Sequence, residues 1–174
     1  MMRGFEKLLA PLKRRLALMI TRAVVDRVND AQGLQRLQLI LLAGEVADDV
    51  ERLQPLGLTA VPEAGAEALA VAVGGNRSHL LVIGCEDRRK RPKGLAAGEV
   101  MVYGLSGGSK ILLKADGTVE ITPGASGKMI VNGGIEASGD IKDAAGTMQA
   151  MRDTYNGHDH LETGGTTNAP LQQM

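Results

Sequence analysis

The stretch GEVMVYGLSGGSKILLKADGTVEITPGASGKMIVNGGIEASGDIKD, residues 98–143, decides the fold class. Four short runs in it read as strands, at 99–103, 110–114, 118–122 and 128–132. Turn sequences rich in glycine separate them, at 107–108, 116–117, 124–127 and 133–134. A fifth run alternates cleanly, with Ile135, Ala137, Gly139 and Ile141 on one face and Glu136, Ser138, Asp140 and Lys142 on the other. Five strands with so few large side chains cannot bury a sizeable core alone. The segment therefore reads as an oligomeric β-prism or β-helix whose copies share an interior. An ordinary hairpin meander packed on a neighbouring domain is the alternative.

Composition points the same way. Of 23 glycines, 8 fall in the first 93 residues and 15 in the last 81. Glycine loses the most entropy on folding and offers no side chain to pack, so such a bias suits frequent tight turns and close backbone approach. The 174 residues allow one or two small domains. Lys and Arg number 20 and Asp and Glu number 20, so no basic excess signals a nucleic-acid partner. Phe5, Tyr103 and Tyr155 are the only aromatic residues, which argues against base-stacking platforms and aromatic cages. One cysteine, Cys85, makes no intrachain disulfide and fits assembly in a reducing cytosol. No run approaches the ~20 apolar residues of a spanning helix. The basic N-terminus has no uninterrupted apolar segment before Arg22, which argues against a cleaved signal peptide.

Upstream of the glycine-rich segment, residues 1–28 read as a basic amphipathic helix. Phe5, Leu8, Leu9, Leu12, Leu16, Met19, Ile20 and Val24 recur at spacings of three and four, opposite arginines and lysines. Pro11 fits best in a first turn, so the regular helix is expected to begin there. Such a helix suits a membrane surface, a partner protein or its own domain. Residues 29–93 read as an OB-fold-like domain and linker. Leu37, Leu39 and Leu41 alternate with polar or smaller residues, and Gly44 turns the chain. Further strand-like runs are expected at 56–61, 68–73 and 80–83, punctuated by Pro55, Pro62 and Gly74-Gly75. Five strands in ~60 residues fit an OB-type barrel. The basic run from Arg88 to Lys93 reads as a solvated inter-domain linker, with a nucleic-acid patch as the other reading.

The chemistry-bearing residues lie near the end of the sequence. Thr147 can cap a short helix in which Met148, Met151 and Tyr155 share a face, with Asn156-Gly157 as its stop. His158-Asp159-His160 follows. In extended backbone, residues i and i+2 point to the same side, so both imidazoles can face one metal ion. Two ligands per chain are too few for a stable site. Three chains about a three-fold axis supply six nitrogens, enough for an octahedral ion such as iron(II), whereas zinc more usually takes four ligands. Two solvated surface histidines are the alternative. A His-x-His-x-Asp-His hydrolytic pattern is broken by Glu162 and Thr163. His79, at the start of an apolar strand, reads as structural. Cys85 has no partners for a nucleophilic triad, and no glycine-rich stretch matches a phosphate-binding loop, so the chain reads as a non-enzyme.

The order of features, closed by Tyr155-Asn156-Gly157-His158-Asp159-His160 and Gly164-Gly165-Thr166-Thr167-Asn168-Ala169-Pro170, resembles the Mu-like baseplate assembly protein V family, the central spike of contractile-tailed phages. The resemblance runs from about Arg3 to Met174. It implies a mainly β homotrimer with an N-terminal helix and an OB-fold domain. An intertwined triple-stranded β-helix needle over 94–147 follows, then a metal-binding apex over 148–174. It implies one structural iron per trimer, held by His158 and His160 of each chain; calcium and chloride are further implied ions without assignable ligands. The implied setting is the virion tail baseplate, assembled in the host cytoplasm. There the spike caps the tail tube, contacts hub and tube proteins, and pierces the bacterial outer membrane on sheath contraction. Leu161 stands where relatives often have a proline. A trimeric receptor- or glycan-binding tail module and an OB-type nucleic-acid-binding protein are the competing readings.

Overall fold

The computed structural model describes residues 2–171; Met1 and residues 172–174 lie outside the described residues, as do the side chains of 2–8 and 162, Phe5 and Leu8 among them. The chain divides into two units, residues 1–127 and 128–174. Helix α1 covers Met2–Ala17 with Pro11 inside it and Arg14 and Arg15 in the last turn, where cations suit the helix dipole. It is shorter than the expected helix, because strand β1 occupies Ile20–Asn29. Thr21, Ala23 and Val25 are buried while Ile20, Arg22 and Val24 are exposed. That two-residue period, in a stretch rich in β-branched residues, wins over the three-and-four spacing that Ile20 and Val24 also satisfy.

Strands β2 (Gln35–Ile40), β3 (Val46–Arg52), β4 (Glu67–Ala72) and β5 (Leu80–Glu86) complete a closed barrel in the order β1-β2-β3-β5-β4. Pairing is antiparallel throughout except for β3 with β5, where Glu51 faces Leu81 and Arg52 faces Val82. The core is made of Val25, Leu37, Leu39, Val50, Leu80 and Val82, with Ala23, Ala66, Ala68, Ala70 and Ala72 filling the narrow remainder. On β4 the alanines point inward, whereas Leu69 points outward and Val71 is half-buried. An interior this thin has no need of aromatic side chains, which accounts for their scarcity. One expectation fails here, and one strand was not foreseen. The run at 56–61 is a loop, with Leu56 fully exposed and Gly57 at φ +82°, because Pro55 and Gly57 build a turn closed by the Leu58 N–H to the Pro55 carbonyl. Strand β3 was hidden by its own carboxylates: exposed Asp49 and half-buried Glu51 pair with Arg36, and only Val50 is buried.

The basic run is not a free linker. Asp87 is only 7% exposed, and Arg89 donates to it through Nε and Nη2 at 2.8 and 2.6 Å while Nη2 also reaches the Ala64 carbonyl at 3.0 Å. Arg88 donates to Glu67 at 2.8 Å, beside the Arg22–Glu67 pair, and Lys90 lies 3.5 Å from Glu63. The carboxylates on the barrel thus hold the first half of the run as a strap.

Beyond the strap, β6 (Val100–Tyr103), β7 (Lys110–Leu113) and β8 (Val119–Thr122) form an antiparallel meander, with three of the expected strands separated at the expected turns. Its register puts Val100 opposite Leu113, Val102 opposite Ile111, Ile111 opposite Ile121 and Leu113 opposite Val119, so these six apolar side chains share one face. All six are exposed, between 40% and 58%. The other face carries Met101, buried Leu112 and a charge cluster in which Glu120 takes Lys114 at 2.8 Å and Lys110 at 3.5 Å.

In the second unit the expected strands at 128–132 and 135–142 are not paired. Met129, Ile130, Val131, Ile135 and Ile141 are all exposed, and one isolated bridge joins Lys142 to Thr147. A strand exists only through a partner's hydrogen bonds, and among the described residues this chain offers that segment no strand partner beyond the bridge at Lys142. Helix α2 (Met148–Gly157) follows as expected, with Thr147 Oγ1 accepting from the Ala150 N–H at 3.0 Å. A short hairpin of β9 (Leu161–Glu162) and β10 (Gly165–Thr166) turns at Gly164, φ +105°.

Two predictions follow from this packing. Leu39→Ala, at a fully buried site, should cost about 2–5 kcal/mol, whereas Leu56→Ala should stay within about 0.5 kcal/mol; midpoints in urea compare them directly. Hydrogen bonds from Arg89 hold the Asp87 carboxyl down to about 2, and bonds from Lys114 and Thr122 hold Glu120 to about 2. Both values are depressed, so their stabilisation is complete above the ordinary carboxylate values of 3.8 and 4.5 and is lost as pH falls through about 2. Acid unfolding followed by circular dichroism should show that decline, and Asp87→Asn should make it shallower.

Candidate metal centre

The histidine pair is placed by the end of α2 and by the hairpin that follows it. Helix α2 stops at Gly157, and His158 leaves it in extended backbone, φ −75° and ψ 143°. The His158 ring turns back on the last helical turn: Nδ1 lies 2.5 Å from the Tyr155 carbonyl oxygen, and the ring centroid lies 5.3 Å from that of Tyr155. A carbonyl oxygen can only accept, so Nδ1 is the donor in this contact, and in the neutral ring Nε2 then keeps its lone pair. His160 is held differently. Its N–H donates to Thr167 Oγ1 at 2.8 Å, and its carbonyl accepts from the Thr167 N–H at 2.9 Å.

The two imidazoles lie close together, with centroids 5.2 Å apart and planes at 86°. Both side chains are exposed, as is Asp159 between them. The alternation expected of His-x-His therefore brings the pair together. Among the described residues, no group of three or more His, Cys, Asp or Glu side chains is arranged to hold a metal ion. One chain offers two imidazole donors, a chemically suitable but incomplete set for a first-row transition metal. A complete set would need donors beyond these two side chains.

The remaining candidates lie elsewhere. His79 sits in the loop between β4 and β5, exposed, and closes that loop through its backbone: its N–H donates to Asn76 and its carbonyl accepts from Val73. Cys85 is half-buried on β5 against the barrel core, and burial pushes its thiol pKa up, away from nucleophilic use. Sequence reasoning missed two supports of the pair, the Tyr155 carbonyl and Thr167. The first is a main-chain group with no sequence signal. The second was signalled only by the Gly164-Gly165 turn, which folds the chain back on His160.

Comparison with known proteins follows this architecture. Residues 22–89 match the family model of Bacteriophage Mu Gp45, N-terminal, a span running from β1 through all the remaining barrel strands to the strap residue Arg89. Over 106 residues the chain is 52% identical to the Mu-like prophage FluMu protein gp45 of Haemophilus influenzae, a match covering 61% of this chain and 58% of that protein. Over 119 residues it is 46% identical to the baseplate puncturing device gp45 of Escherichia phage Mu, covering 68% of this chain and 60% of that protein. The chain thus spans about three fifths of the length of these curated relatives. With the barrel span matched by the family model and about half of the aligned residues identical to these relatives, the chain is similar to the Mu gp45 family.

Proposed function

We propose that the chain is a subunit of a homotrimeric spike in a phage tail baseplate, one that caps the tail tube and is driven through the bacterial outer membrane when the sheath contracts. The observation that carries this reading is the uncovered face of the β6–β8 meander. An antiparallel sheet is expected to cover its apolar face, and six cross-paired apolar side chains exposed together mark a face awaiting a partner. Three copies about one axis would turn those faces inward and supply strand partners for residues 128–142, giving an intertwined triple-stranded β-helix. The strand order β1-β2-β3-β5-β4 supports reading the barrel as an OB type. The name of the phage Mu relative, a baseplate puncturing device, fits the same role and location. The hub and tube proteins of the baseplate are then the spike's neighbours.

On this reading the protein is structural rather than catalytic. His158 and His160 of three copies would hold one iron ion with six nitrogens, and the ion's contribution is a crosslink that opposes separation of the chains at the tip. Ligation by six protein nitrogens leaves no open position for a substrate. The nucleic-acid reading loses its main support, because Arg88, Arg89 and Lys90 are engaged with Glu67, Asp87 and Glu63.

Native mass spectrometry tests assembly and metal together. A mass of three 18.3 kDa chains with one iron-sized adduct is expected; a metal-free trimer would remove the iron site alone, and a monomer would remove the shared interior. Ile111→Asp, at the centre of the apolar face, should abolish the trimer by light scattering while the barrel keeps its circular dichroism. His158→Ala with His160→Ala should lose the metal and leave the trimer intact.

A further inference from the structure

We propose that the histidine pair is preset within each chain, His158 by the Tyr155 carbonyl so that it ligates through Nε2, and His160 by Thr167, which acts as its positioning residue. The inference rests on the metal reading above and deepens it. The β9–β10 ladder pairs Leu161 with Thr166 and Glu162 with Gly165, so the next pair outward is His160 with Thr167. There the Thr167 N–H donates to the His160 carbonyl at 2.9 Å, as an antiparallel ladder requires. The reciprocal bond is not made to the Thr167 carbonyl. The His160 N–H goes instead to the Thr167 hydroxyl at 2.8 Å. A side-chain oxygen therefore sets the backbone from which the second imidazole projects.

Metal-binding histidines commonly give their non-ligating nitrogen to a carbonyl or carboxylate, which fixes the tautomer and the ring direction. The 2.5 Å contact from His158 Nδ1 to the Tyr155 oxygen is such a contact, and it aims Nε2 outward. The Tyr155 ring lies beside the same imidazole, tilted by 50° with its centroid 5.3 Å away. Neither support involves another copy of the chain.

The test uses the full-length protein and iron(II), with affinity read by competition against a chelator. Thr167→Val keeps the β-branched shape and removes the acceptor; it should lower iron affinity by about 10–100-fold. Thr167→Ser should bind like the wild type. Wild-type affinity in Thr167→Val, or Thr167→Ser as weak as valine, would overturn the role of Thr167. A second readout needs no metal: with only three histidines in the chain, ring nitrogen shifts of the iron-stripped protein resolve each tautomer. His158 should carry its hydrogen on Nδ1 at a pH where the ring is neutral, and a predominant Nε2–H form would overturn its assignment. If the wild type itself takes up no iron, and His158→Ala with His160→Ala behaves identically, the metal reading falls and the presetting of ligands falls with it.

Discussion

Closure of the barrel depends on β1. Its first half, Ile20 to Val24, pairs with β4, and its second half, Val24 to Asn29, pairs with β2, so one strand stitches both edges of the sheet. A shift of register between Val25 and Arg27 bends the strand between those two partners. Without β1, the edges of β2 and β4 would carry unpaired backbone groups beside the alanine-lined interior. Closure also explains why α1 ends where it does. The Ala72 N–H donates to the Met19 carbonyl at 2.7 Å, so the ladder already claims the second residue after the helix.

The small core makes the barrel dependent on its edges in a second way. With alanine at Ala66, Ala68, Ala70 and Ala72, the β4 side of the interior contributes little transfer energy per residue. Ion pairs on the outside of β4 hold the strap over it, Arg22 and Arg88 sharing Glu67. Exposed pairs of this kind are individually weak. Asp87 differs, because its carboxylate is buried and takes the Arg89 fork bidentately, and loss of the half-exposed Arg89 would leave that carboxylate unpaired in a poorly solvated place. A run of four consecutive cations that looks like a linker is thereby a fastening.

Where local pattern and tertiary role agreed, the sequence was legible. Leu37 and Leu39 alternate on β2, the Asp116-Gly117 turn separates β7 from β8, and Thr147 caps α2. Illegibility had distinct causes. Residues 20–24 satisfy both periods, and only the presence of β2 and β4 decides between them. Val46–Arg52 is a strand whose single buried residue, Val50, leaves no alternation to read. Residues 56–61 are apolar in composition, yet the proline and glycine among them fix a turn. Residues 128–142 have a strand's pattern without a strand's partner in this chain, and a pattern alone forms no ladder. The histidine pair was legible as a pair, because i and i+2 spacing is a local property. Its supports were not, since a main-chain carbonyl and a residue seven positions away carry no motif.

That locality has a consequence for assembly. No side chain in residues 158–160 is buried, so packing does not orient the imidazoles. Their directions come from three hydrogen bonds closed within a dozen or so residues of one chain, from Tyr155 to Thr167. Ordering a flexible ligand at the moment of binding costs affinity, and a ligand already held in its binding geometry avoids that cost. In a three-fold site the saving is made once per chain. Two imidazoles prearranged on each of three copies would therefore favour the proposed joint ligation more than six independently mobile ones. In the proposed trimer the apolar meander face would supply the force that gathers the copies, and the local hydrogen bonds would supply the geometry that the gathered copies present.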